Sequence, residues 1–208
     1  MFQFPQNFLP THLFQLTHVF GPLEYILYLS ALNFSYSGSC PTVRKGSVVE
    51  TYQNWGNVFS IEFDIVVNKL PRNEWMNVFH FTATNENCCN NGDRIPAFWV
   101  NRGGYFYIIS SVNNEGNYQK LVNFVLGKIY RVTIRQVKEG SKYFYEIIVD
   151  GKSELRTENR NPKSYPTVRL YRSDPWYDHF SPEFGSICNV KIQQLNSGKF
   201  LPRMRWRF

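Results

Sequence analysis

From residue 47 onward, hydrophobic and polar positions alternate along the chain, which is the pattern of strands that bury one face. In "VFSIEFDIVV" (58–67), Phe59, Ile61, Phe63, Ile65 and Val67 point one way while Ser60, Glu62 and Asp64 point the other. "KIYRVTIRQVK" (128–138) repeats the arrangement, with Tyr130, Val132 and Ile134 opposed to Arg131, Thr133 and Arg135. The same reading predicts strands over 74–84, 96–101, 104–111, 142–151, 166–172 and 185–195. Gly103-Gly104 turns between two of them, and Glu139-Gly140-Ser141 marks a hairpin. No stretch places apolar residues at helical spacing with caps at both ends. Strands joined by short turns without intervening helices predict an all-β fold, an antiparallel two-sheet β-sandwich or jelly roll. Parallel pairing is excluded, because it needs long crossovers. No internal repeat is visible, which removes propellers and solenoids.

The two ends depart from this pattern. Before Arg44 the only charged side chain is Glu24, and "YILYLSALNF" (25–34) is a ten-residue apolar run. That is half of the roughly 20 residues needed to span a bilayer. Residues 1–40 therefore read either as a secretory leader, cleaved near Ser37 to Ser39, or as a disordered arm. Residues 41–196 form the sandwich domain, and residues 197–208 are a basic tail carrying Arg203, Arg205 and Arg207. Four cysteines, Cys40, Cys88, Cys89 and Cys188, allow two disulfides in an oxidising compartment and three connectivities. The adjacent Cys88 and Cys89 are expected to seek distant partners rather than each other. With no CxxC spacing and widely separated histidines, a zinc site has no support.

The formal charge of +7 suits an acidic partner. Its positive residues are scattered among carboxylates, however, which is the pattern of solvated faces. A binder of nucleic acid or sulfated glycan using Arg131, Arg135, Arg169, Arg172 and the tail, with those arginines on one outer sheet face, is the alternative this charge raises. Glu62 and Asp64 share a strand face, as the first two carboxylates of a laminarinase-type glycosidase would. A retaining enzyme needs a second carboxylate about 5 Å from the first, and Val66 and Val67 occupy the places where it would stand. Glu62 is expected instead to pair across strands with an arginine such as Arg131 or Arg135. His80, inside a strand, is expected to be a hydrogen-bonded structural residue, and no nucleophile elbow, phosphate loop or zinc-protease motif occurs.

Two loops hold most of the remaining polar chemistry. "TNENCCNNGDRIPAFW" (84–99) and "YRSDPWYDHFSPEFGS" (171–186) are rich in oxygen ligands of the kind calcium takes. Asn and Asp also initiate turns without any metal. The order "FSIEFDI", "WMNVFHFTATNEN", "NGDRIPAFWV", "YEIIVDG", "VRLYRSDPWY", "GSICNVKI" resembles the concanavalin A-like lectin and glucanase superfamily in its laminin G-like and pentraxin-like style. The resemblance covers about residues 47–195. It implies a two-sheet jelly roll with a binding surface at the rim, and a calcium ion held there by Asp93 and Asp174. On the same expectation Trp176 and Tyr177 give a face for a sugar ring, and Arg94 and Asp178 give polar contacts. The chain lacks the His-x-Asn-x-Arg strand of galectins and the second glutamate of laminarinases. The sequence therefore points to a secreted, non-enzymatic recognition module for a glycan or an extracellular protein, with no membrane span.

Overall fold

The structure, a computed structural model, describes residues 40, 45–196 and 199–200. The expected leader or arm, Cys40 excepted, and the arginines of the tail lie outside the described residues. In chain order the strands are β1 (Ser47–Trp55), β2 (Val58–Val67), β3 (Trp75–Thr82), β4 (Ala97–Asn101), β5 (Tyr105–Val112), β6 (Glu115–Asn123) and β7 (Ile129–Glu139). They are followed by β8 (Lys142–Val149), β9 (Lys152–Glu158), β10 (Tyr165–Arg172), β11 (Asp178–His179), β12 (Gly185–Asn196) and β13 (Lys199–Phe200).

One sheet runs in the order β1-β10-β3-β4-β5-β6, with β11 beside β3; the other runs β13-β12-β2-β7-β8-β9. The fold is all-β, a sandwich of two sheets whose ladders are antiparallel with one exception. β11 pairs in parallel with β3, Asp178 opposite Met76 and His179 opposite Asn77. The rule of short connections missed it because the two strands lie far apart in sequence. β13 folds back on β12, so residues 199–200 of the expected tail extend the sheet.

Between the sheets the inward positions fill one core, including Phe59, Ile61, Phe63, Phe81, Phe98, Phe106, Val132, Ile134 and Ile147. Phe63 stands edge-on to both Phe79 and Phe98, at centroid distances of 5.2 Å each. Such packing adds about 0.5–1.5 kcal/mol per pair beyond area burial. Cys40 is bonded to Cys188 on β12, which ties the segment before β1 to the opposite sheet. The second disulfide corrects the sequence expectation: Cys88 and Cys89 are bonded to each other across a cis peptide, with Cα atoms 3.1 Å apart.

Three tyrosines reach into this core with their phenols. Burial raises Tyr52 and Tyr145 well above the ordinary phenol range, with Glu50 adding to the effect at Tyr52. Burial also pushes Tyr165 up to about 12. A raised phenol favours the folded state below the unfolded value of about 10, and that contribution is lost as pH rises from there through about 12. Phenolate absorbance of these three residues is therefore expected to appear together with the loss of the far-ultraviolet β signal. Ionisation near the ordinary value in an intact fold would contradict it.

The outward face of the six-stranded sheet is laced with ion pairs. Arg131 donates to Asp64 at 3.0 Å, Arg135 to Glu146 at 2.5 Å, and Arg156 also meets Glu146. Glu62 is paired with Lys191 at 3.9 Å rather than with an arginine, because Thr133 stands opposite it in the ladder and Arg131 stands opposite Asp64. Arg169 and Arg172 are on β10, in the other sheet, so the four arginines do not share a face. Arg172 is buried there, and desolvation lowers its guanidinium from the ordinary value.

Candidate functional site

On the outward face of the seven-stranded sheet, the alternation that buries Phe98 and Val100 turns Ala97, Trp99 and Asn101 outward on β4. On β5 it turns Tyr105 and Tyr107 out, and on β3 Trp75 and His80. These are aromatic residues at positions that solvent-facing strands fill with polar ones. Some are therefore covered by loops and some remain as a shelf.

The cover comes from the two loops that the sequence singled out. After β10 the chain leaves the edge of β3 at Ser173 and rejoins β3 at β11, so residues 174–177 arch outward between the two contacts. Asp174 shapes this arch. Its Oδ1 accepts the backbone N–H groups of Trp176 (3.2 Å) and Tyr177 (3.1 Å), its own N–H donates to Asn77 Oδ1 at 2.8 Å, and its Oδ2 faces His80 Nδ1 at 3.0 Å. His80 Nε2 donates to the Asp93 carbonyl oxygen at 2.6 Å. A carbonyl only accepts, so Nε2 carries its hydrogen and one proton lies between Nδ1 and the Asp174 carboxylate. His80 thus links the two loops through the sheet, as a structural residue. Trp176 lies over it at 5.5 Å between centroids.

The second loop is closed by Asp93, whose Oδ1 accepts from Thr84 at 2.6 Å and whose Oδ2 accepts from the Asn90 backbone at 2.7 Å. It then crosses to β6. A Cβ on Gly116 would stand 2.3 Å from the Cys89 carbonyl oxygen, so only glycine lets the loop backbone seat there. Asn85 in the same loop has a φ of 66°, a conformation asparagine tolerates better than most residues.

Asp93 and Asp174, the calcium ligands that the resemblance implies, are both 0% exposed. Their oxygens already serve donors of the protein itself, and among the described residues no group of three His, Cys, Asp or Glu side chains is arranged to hold a metal. These two carboxylates do not fit a calcium ion; they are the hydrogen-bonded bases of the loops.

Of the other expected residues, Arg94 and Tyr177 come together. Arg94 is 4% exposed and its guanidinium lies 4.7 Å from the Trp99 ring. It donates to the Asn87 backbone (2.9 Å) and Oδ1 (3.3 Å), to Asn117 Oδ1 (2.5 Å) and to the Tyr177 hydroxyl (3.4 Å). Trp176 keeps 37% exposure at the rim. Asp178 faces elsewhere, accepting from Asn73 at 2.5 Å.

Sequence reasoning missed the shelf beside them. Trp75 packs on Tyr107 at 4.6 Å and on Tyr105 at 6.2 Å, Tyr107 meets Trp99 at 6.2 Å, and Trp99 meets Tyr177 at 5.6 Å. Trp75, Tyr105 and Tyr107 are half-buried, so each ring keeps a surface to solvent. Leu121, opposite Tyr107 in the ladder, is 48% exposed, and Gln119 and Asn117 continue β6 toward Arg94. Burial pushes the Tyr107 phenol up, while the charge of Arg94 and a hydrogen bond with Asn117 act the other way. The arrangement offers stacking surfaces, amides and one cation on a single face. The signal in the sequence was Tyr105-Phe106-Tyr107, a strand that is aromatic in both phases of its alternation.

No family model and no curated protein matches the chain. Solved structures similar to it include the receptor-binding domain of botulinum neurotoxin D, at 12% identity and a TM-score of 0.47, covering 73% of this chain and 40% of that one. A pentraxin from Limulus polyphemus is similar at 12% identity and a TM-score of 0.46, over 74% of this chain and 73% of that one. Sheep galectin-11 is similar at 10% identity and a TM-score of 0.40, over 73% and 99%. The chain spans less than half of the toxin domain and 21% of a Trypanosoma rangeli sialidase chain. At these values the likeness carries no function across, and the site rests on its own geometry.

Proposed function

We propose that the outward face of the seven-stranded sheet is a non-catalytic carbohydrate-binding surface of a secreted protein. The observation that carries this reading is the shelf of half-exposed rings, Trp75, Tyr105 and Tyr107, bordered by the amides of Asn117 and Gln119. A pyranose has an apolar face for an aromatic ring and hydroxyls for amides at its edge, and rings with one wet side suit such partly hydrated sites. Glu62 and Asp64, the pair weighed for glycoside hydrolysis, lie on the other sheet, engaged with Lys191 and Arg131. They therefore have no place in chemistry on this shelf. Two disulfides fit an oxidising, extracellular setting, and among the described residues no helix is long and apolar enough to cross a membrane. The paired arginines of the six-stranded sheet give the basic-face alternative no comparable footing.

The test is a titration of the full chain against a panel of oligosaccharides, repeated with Trp75→Ala and Tyr107→Ala. Each variant is expected to weaken binding about tenfold, which corresponds to about 1.4 kcal/mol, with little change in melting temperature because both rings are partly solvated already. Unchanged affinity in the double variant would end this reading.

A further inference from the structure

Arg94 is the buried cation of this face, and its environment is lopsided. Arg131, Arg135 and Arg156 on the other sheet each have a carboxylate. Arg94 has none within ion-pair distance among the described residues, and all four of its hydrogen bonds go to neutral oxygens. A guanidinium cannot shed its proton and has five N–H donors, so one remains beyond those four bonds. Removing such a charge from water without a counter-ion is unfavourable. Among the described residues, two more buried donors have no acceptor: Nε1 of Trp99, the ring beside Arg94, and Nδ2 of Asn101, farther along the same face of β4. The unmet groups of β4 are thus all donors, next to an uncompensated positive charge.

We infer that the sugar taken by the shelf carries an oxyanion, as a carboxylate or a sulfate ester, and that Arg94 is the charge that selects it. This rests on the carbohydrate reading above and narrows it. The missing partner of the face is an acceptor with negative charge, and a ring-borne oxyanion supplies both. A sugar stacked on Tyr107 stands near Arg94, because the Trp99 ring lies 4.7 Å from that guanidinium and 6.2 Å from the Tyr107 ring. The rival account, in which Arg94 only braces the 84–94 loop, predicts no preference among sugars.

The experiment compares three probes of equal length on the full chain: an oligouronate, a sulfated oligosaccharide and a neutral oligosaccharide. At low ionic strength at least one anionic probe is expected to bind about tenfold tighter than the neutral one. The ratio should fall toward one as salt shortens the screening length to about 3 Å near 1 M. Arg94→Gln should collapse the ratio by weakening the anionic probes more than the neutral one, and Arg94→Lys should keep part of it. If Arg94→Gln does not fold, the lysine variant and the salt titration of the native chain decide the matter. Equal or tighter binding of the neutral probe overturns the inference and leaves the shelf standing, as does a ratio indifferent to salt or to both Arg94 variants. No binding of any probe removes both readings together.

Discussion

Replacing Asp174 with alanine is expected to destabilise the protein by about 3–5 kcal/mol, since each buried hydrogen-bonding group left without its partner costs about 1–3 kcal/mol. The loss has three parts: the partner of His80 Nδ1, the acceptor for two backbone N–H groups, and the shape of the arch that carries Trp176 and Tyr177. Asparagine at the same position is expected to cost less than about 1.5 kcal/mol. Its oxygen can hold both backbone donors, and its amide can donate to His80 Nδ1, because the imidazole already commits its Nε2 hydrogen to Asp93. Denaturant unfolding of the two variants measures the difference. Similar losses for both would mean that the charge matters more than the hydrogen bonds, and a loss below about 1 kcal/mol for alanine would contradict the buried pairing itself.

A comparable loss is expected from Phe63→Ala. Phe63 is fully buried at the middle of β2 and joins the two sheets through its edge contacts with Phe79 and Phe98. Truncation removes the transfer term and leaves a cavity that two rigid sheets cannot close, for about 3–5 kcal/mol in all. The denaturation midpoint should fall with an unchanged slope. Glycan affinity at native temperature should hold, since the shelf lies on the far side of its sheet. Loss of binding without loss of stability would show that the core and the shelf are coupled in a way the packing does not display.

The strands that the sequence reveals are the ones with a buried face. β2 and β7 alternate between the core and the ion-paired surface, and β12 does so on either side of a bulge between Cys188 and Lys191, so the period of two survives in the residues. β6, β9 and β13 were not foreseen, and β1 was seen only as the onset of alternation. All four lie at sheet edges. In β9, "KSELRTE", no residue is fully buried, and in β1 only Tyr52 and Trp55 are. A ladder of backbone hydrogen bonds holds such strands, and their side chains carry little trace of it.

The two loops were legible as unusual, and their function was not. An aspartate in a loop reads alike whether it meets a cation or the chain's own N–H groups. Only the burial of Asp93 and Asp174 separates the two. The pairing of Arg94 with Tyr177 joins residues 83 positions apart and depends on β11 returning to β3. Nothing local encodes that return. The shelf was hidden for a different reason: a tyrosine or tryptophan in a strand is ordinary as a core residue, and the phase of each ring is known only once neighbouring registers are fixed.

The ion pairs across the back of the molecule have a consequence for how copies of it meet. On that side Asp64, Glu146 and Glu62 cancel the arginines and lysines opposite them within a few ångströms. The resulting field dies away quickly and has no net sign to attract a partner. The front, by contrast, holds rings and an unbalanced cation. Two copies meeting back to back would therefore have to break these pairs to gain new ones, whereas a contact through the front would leave every one of them intact.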